Sequence, residues 1–219
     1  MLKDEYFDRL YKDIFNVNNY TPDGTSEPAM QYFEGHRPRF ELQIGYWNEC
    51  LDKEEIKLVY DMGTGVPFVS YYFNITQGAE VVFGMPGGSY RVNDKVAAVN
   101  INLSINPPAL PAGDLVICTE CLEHLSTNLY KVRAYLMSLV KPGKFMLLSF
   151  PLGGANAKEY WRDGLGDPNA VATPHIREFT AETAREFYYG TGWDLLKEET
   201  VFTRAYGGNI MNVLLKRPE

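Results

Sequence analysis

Val59-Tyr60-Asp61-Met62-Gly63-Thr64-Gly65-Val66-Pro67 ends a short apolar run in two glycines and a proline. An apolar run broken by closely spaced glycines predicts a buried strand followed by a tight turn, because glycine admits backbone conformations that other residues avoid. Proline is tolerated in the first turn of a helix, so Pro67 allows a helix to begin there. On its own this pattern fits any strand-to-helix turn.

Reading outward, further apolar runs recur at Val81-Val82-Phe83, Val96-Ala97-Ala98-Val99, Leu115-Val116-Ile117-Cys118 and Phe145-Met146-Leu147-Leu148-Ser149-Phe150. Near-continuous apolar runs of this length are typical of parallel strands covered on both faces. Helical candidates at 66–77, 127–140 and 180–190 separate several of them. Alternating strands and helices imply right-handed crossovers and a doubly wound sheet. Residues 193–202 and 209–216 read as two more strands, joined only by Arg204-Ala205-Tyr206-Gly207-Gly208. So short a connection forces an antiparallel pair. The expected architecture is an α/β/α sandwich around seven strands, closed by that antiparallel hairpin. Residues 1–55, with helical spacing at Phe7, Leu10, Tyr11 and Ile14 and again from Phe40 to Leu51, read as an N-terminal helical extension or lid, and 56–219 as the sheet domain.

Composition narrows the function. The 219 residues carry 45% hydrophobic and 22% charged side chains, the balance of a globular protein, with a net charge of −7. The 21 basic residues form no stripe, which argues against nucleic acid as a partner, since phosphate contacts need clustered Lys and Arg. No apolar stretch reaches the length of a membrane span. The opening Met1-Leu2-Lys3-Asp4-Glu5 lacks the apolar run of a secretory leader. Three cysteines, Cys50, Cys118 and Cys121, suggest reduced thiols. The expectation is a cytoplasmic protein; nothing in the sequence opposes a homo-oligomer. Cys118 and Cys121 have Cys-x-x-Cys spacing, but a structural zinc site needs four ligands and no second pair exists. No metal is expected.

Three segments resemble the class I S-adenosylmethionine-dependent methyltransferases, whose fold is Rossmann-like, over roughly residues 55–217. Asp61-Met62-Gly63-Thr64-Gly65 is similar to that family's glycine loop, with Pro67 in place of its third glycine. Gly113-Asp114-Leu115-Val116-Ile117-Cys118-Thr119-Glu120-Cys121-Leu122-Glu123-His124-Leu125 resembles its fourth strand and the loop after it, a more specific match. Val140-Lys141-Pro142-Gly143-Lys144-Phe145 looks like the turn into its fifth strand. The resemblance implies S-adenosyl-L-methionine as cofactor. It would rest on the backbone amides of Gly63, Thr64 and Gly65, with Asp61 orienting the loop. Asn102 and Leu103 would meet the adenine, or Asn102 would instead cap a turn ahead of Pro107 and Pro108; Cys118, Thr119 and Glu120 would meet the methionine end. Met85 occupies the position where the family usually holds an acid for the ribose hydroxyls. Glycines 87 and 88 and prolines 107, 108 and 111 leave little room for crossover helices on that flank.

For the reaction the implied candidates are His124, beside the transfer site, and His175, in a segment that covers the acceptor pocket in many relatives. Either could serve as a general base, or each could cap and brace its loop. His36 lies in the N-terminal extension with no role assigned. Tyr20, Tyr32, Phe33, Tyr160 and Trp161 fall in segments expected to overhang the site. The leading reading is a methyltransferase for a small molecule or glycan, acting at oxygen. Two others stand beside it: a methyltransferase-like protein that has lost catalysis and serves as a binding or structural partner, and, from the glycine loop alone, a nucleotide-binding oxidoreductase.

Overall fold

The structure is a computed structural model that describes residues 27–51, 53–63, 68–85, 90–105, 107–153, 177–203 and 207–219. A long helix, α1 (Glu27–Tyr46), runs on into a π-helical turn at Trp47–Leu51. Then follow β1 (Leu58–Met62), α2 (Ser70–Gln77), β2 (Glu80–Met85), β3 (Tyr90–Asn93), β4 (Val96–Asn100) and β5 (Gly113–Cys118). After a single 3-10 turn at Leu122–His124 come α3 (Leu129–Ser138), β6 (Val140–Leu152), α4 (Ala181–Glu186), β7 (Asp194–Thr203) and β8 (Gly208–Lys216).

All strands join one sheet in the order β3-β4-β2-β1-β5-β6-β8-β7. The five strands expected to be parallel are parallel, and β8 inserts between β6 and β7 with antiparallel pairing on both sides. The seven expected strands are therefore present. An eighth, the short β3, pairs antiparallel with β4. It occupies part of the connection where a doubly wound sheet would carry a crossover helix.

Period-2 alternation sorts the core into two layers. On one face Val59, Val81, Leu115, Ile117 and Leu147 pack with Phe40, Ile44 and Trp47 of the N-terminal helical segment and with Phe73 of α2. On the other, Tyr60, Met62, Val116, Cys118 and Leu148 pack with Val132 and Leu136 of α3 and Ala184 of α4. Trp47 meets Phe73 edge to face at 4.5 Å, and Phe40 meets Phe68 at 4.8 Å. Each such fully buried side chain contributes roughly 1.5–3 kcal/mol, so the described part of the N-terminal segment belongs to the main core. No described helix is long and apolar enough to cross a membrane.

Asp114 aligns the entry ends of three strands. Its Oδ2 accepts the amides of Lys57 (2.9 Å) and Leu58 (3.0 Å), and its Oδ1 accepts Lys141 Nζ at 2.8 Å. Burial pushes this carboxyl up, but Lys141 and the two amides more than offset that and hold it below the usual range. A carboxylate with a depressed folded pKa stabilises the fold above its unfolded pKa, and that contribution is lost as pH falls through the folded value. Asp114→Asn is therefore expected to cost about 2 kcal/mol at pH 7. The deficit should shrink below about pH 4, as read by urea unfolding across pH.

Candidate functional site

In this order β1 is the switch point: the chain leaves it for β2 and β4 on one side and returns to β5 on the other. Open α/β sheets bind ligands outside the carboxyl ends of the strands at such a point. Asp61 lies near the end of β1 with Gly63 just after it, and Cys118 ends β5 with Thr119 and Glu120 following.

Gly63 has φ +82°, and its amide donates to Gly84 O at 2.8 Å. A Cβ at Gly63 would stand 2.0 Å from Cys121 Sγ. The glycine is thus demanded by the protein's own packing. Thr64 and Gly65 lie outside the described residues, as do Val66 and Pro67. Asp61, buried, accepts the Ser70 hydroxyl at 2.6 Å, which ties the end of β1 to the start of α2. Burial pushes its carboxyl up to about 7 against the pull of Ser70 and of the Arg39 guanidinium.

Across the switch point, Glu120 has φ +51°, the one positive value among the described non-glycine residues. Its amide donates to Ser149 Oγ at 3.0 Å, and the same hydroxyl donates to Glu120 Oε1 at 2.8 Å. Arg39 of α1 brings Nη1 to 3.5 Å from Oε1. Oε2 is buried and has no hydrogen-bond partner among the described residues. Burial raises the Glu120 pKa, with Arg39 and Ser149 opposing. Glu123, fully buried, is raised by burial and by the neighbouring Glu120. His124 is partly exposed, with Nε2 3.6 Å from Glu123 Oε1. His36, one turn before Arg39 on α1, is pushed down to about 2 by burial and then by the Arg39 charge, so it stands neutral.

Of the residues singled out in the sequence, the structure brings Asp61, Gly63, Cys118, Thr119 and Glu120 to one end of adjacent strands. Met85 ends β2, opposite Asn100 of β4. Asn102 caps its own turn: Oδ1 accepts the Ser104 amide at 2.9 Å, and its carbonyl accepts the Ile105 amide at 3.1 Å. The Leu103 side chain is buried in the layer that contains Met62. His175, Tyr20, Tyr160 and Trp161 lie outside the described residues, as do the side chains of Tyr32 and Phe33. Arg177, two residues beyond His175, pins its strand of chain to the His124 loop. Its amide donates to Glu123 O at 3.2 Å, and its guanidinium donates to Leu125 O at 2.8 Å and to Thr127 O. Beside this anchor an open groove of about 740 Å³ is lined by Ser126, Tyr130, Phe179, Thr183 and Phe187 among others.

Sequence reasoning missed Arg39, Ser149 and Glu123. Two signals pointed to Arg39 and Ser149, and none to Glu123. His36, Arg39 and Gln43 share the helical spacing of Phe40, Ile44 and Trp47, so polar side chains ride on the apolar stripe. Ser149 interrupts an otherwise apolar strand.

With β3 set aside, the order is β4-β2-β1-β5-β6-β8-β7, with β8 alone antiparallel to both its neighbours, and solved enzyme structures are similar to the chain. A 1,6-didemethyltoxoflavin N1-methyltransferase of Burkholderia thailandensis, crystallised with S-adenosylhomocysteine, is similar with a TM-score of 0.63 and 19% identity, over 100% of this chain and 92% of that one. The fold is that of the class I methyltransferases. A magnesium protoporphyrin IX methyltransferase of Synechocystis is similar with a TM-score of 0.61 and 16% identity, over 97% of this chain and 93% of that one. The [4+2]-cyclase SpnF is similar as well, with a TM-score of 0.58 and 11% identity over 82% of this chain and 80% of that one. No family model and no curated protein matches the sequence. At these identities the likeness establishes the methyltransferase fold, and chemistry must be argued from the site.

Proposed function

We propose that the chain is an S-adenosyl-L-methionine-dependent methyltransferase acting on a small molecule or glycan, at oxygen. The observation that carries this reading is the charge arrangement at the switch point. A buried guanidinium (Arg39) stands beside a buried carboxylate whose Oε2 has no partner among the described residues (Glu120). That pair is complementary to the carboxylate and ammonium of an amino acid. Leaving a buried carboxylate oxygen unsatisfied costs free energy, and a cationic donor would relieve it. At this end the donor set fits the cofactor. At the ribose it fits less well, because the chain offers Met85 where a carboxylate would accept the hydroxyls.

In this reading Thr64 and Gly65 present backbone amides to the ligand; Gly63, whose own amide is spent on Gly84 O, only turns the chain, and Asp61, tied to Ser70, orients that loop. Asn102 and Leu103 flank the adenine, and Cys118, Thr119 and Glu120 meet the methionine end. When bound, the cofactor supplies an electrophilic methyl group on a sulfonium. The protein supplies orientation and a dry enclosure, with residues 1–55 contributing through Arg39 and Phe40. In this reading His124 or His175 takes the proton of an attacking hydroxyl. The groove beside Arg177 is the acceptor's approach.

Titration calorimetry with S-adenosylhomocysteine tests the proposal. Binding below millimolar ligand is expected, and none at millimolar ligand would end it. Met85→Asp is expected to tighten binding about tenfold to hundredfold, the worth of a hydrogen bond to a charged acceptor. The second reading, a methyltransferase-like binding or structural protein, is favoured by the same Met85. It predicts that only the Met85→Asp variant binds.

A further inference from the structure

A residue with a Cβ is disfavoured in the left-handed region, and such a conformation persists where the surroundings over-determine it. At Glu120 one buried hydroxyl touches the residue at two points. Ser149 lies in β6 between Leu148 and Phe150, fully buried, and an unused hydroxyl there would be costly. Its oxygen accepts the Glu120 amide and donates to Oε1, so a single group grips both the backbone and the side chain of the strained residue. Arg39 also approaches Oε1. The first carboxylate oxygen is therefore engaged twice, and Oε2 is left buried without a partner among the described residues. Glycine at position 120 would adopt this backbone without strain. What a glutamate adds is the carboxylate.

We propose that Ser149 is a positioning residue, which clamps Glu120 in its left-handed conformation so that Oε2 is held ready to accept an N–H donor from the amino-acid end of the cofactor. This rests on the methyltransferase reading above. Ser149 then acts only through Glu120, which makes the two substitutions non-additive.

The experiment is a double-mutant cycle read by titration calorimetry with S-adenosylhomocysteine, with thermal unfolding of the ligand-free proteins in parallel. Ser149→Ala is expected to weaken binding about tenfold and Glu120→Gln by at least as much, while the double variant binds no more weakly than Glu120→Gln alone. Should Ser149→Ala fail to fold, Ser149→Cys keeps the shape with a weaker donor and enters the same cycle. Affinity within twofold of wild type for the serine variant, or losses that multiply in the double variant, would overturn the inference while the methyltransferase reading stands. A wild-type chain that binds no S-adenosylhomocysteine would overturn both.

Discussion

Gly63→Ala is expected to destabilise the protein by roughly 3 kcal/mol, through overpacking and a disfavoured backbone acting together. The new Cβ would lie 2.0 Å from Cys121 Sγ and 2.7 Å from Cys121 Cβ, so no rotation of the thiol relieves the clash. The backbone at φ +82° adds its own penalty. Cys121→Gly in the same chain removes both opposing atoms and should recover the overpacking part, leaving about 1 kcal/mol of conformational cost. Guanidinium unfolding of the two variants, against Cys121→Gly alone, separates the contributions. If Gly63→Ala proves as stable as wild type, the end of β1 is not packed against the Cys121 turn.

Arg39→Met should cost about 3–5 kcal/mol near pH 8, the penalty for leaving a buried carboxylate without its cation. Arg39 opposes the burial of both Asp61 and Glu120, so its removal drives both carboxyls further up. A carboxyl whose folded pKa lies above its unfolded value stabilises the fold at low pH, and that contribution is lost as pH rises through the folded value. The variant's deficit should therefore shrink on acidification and grow again toward pH 8. Adding Glu120→Gln removes one of the stranded charges and should restore much of the loss. Stability of the two proteins measured from pH 5 to 8 checks this, and an Arg39→Met protein of unchanged stability at pH 8 would contradict the buried pair.

Much of the fold was legible because burial leaves a period. The runs at 81–83, 115–118 and 145–150 are apolar on both faces, as strands covered by helices must be, and all became inner strands. The pair 193–202 and 209–216 had to be antiparallel because five residues cannot cross over a sheet. The candidate site was less legible. Its strand ends followed from topology, but the residues that complete it came from elsewhere: the charge of Arg39 from α1, the hydroxyl of Ser149 from β6, and Cys121 from the turn against Gly63. The short strand β3 escaped notice because Tyr90–Asn93 has too few residues for an alternation to show.

By itself the amino-acid order determined seven of the strands, the helices between several of them, and which of these lie inside. Tertiary structure alone decided that a guanidinium and a carboxylate meet at the switch point, and that one serine hydroxyl holds Glu120 in an otherwise disfavoured conformation. The difference is physical. Burial of apolar surface is non-directional, so a local pattern suffices to specify it. Ion pairs and hydrogen bonds need particular partners at set distances, and those distances exist only once remote elements have docked.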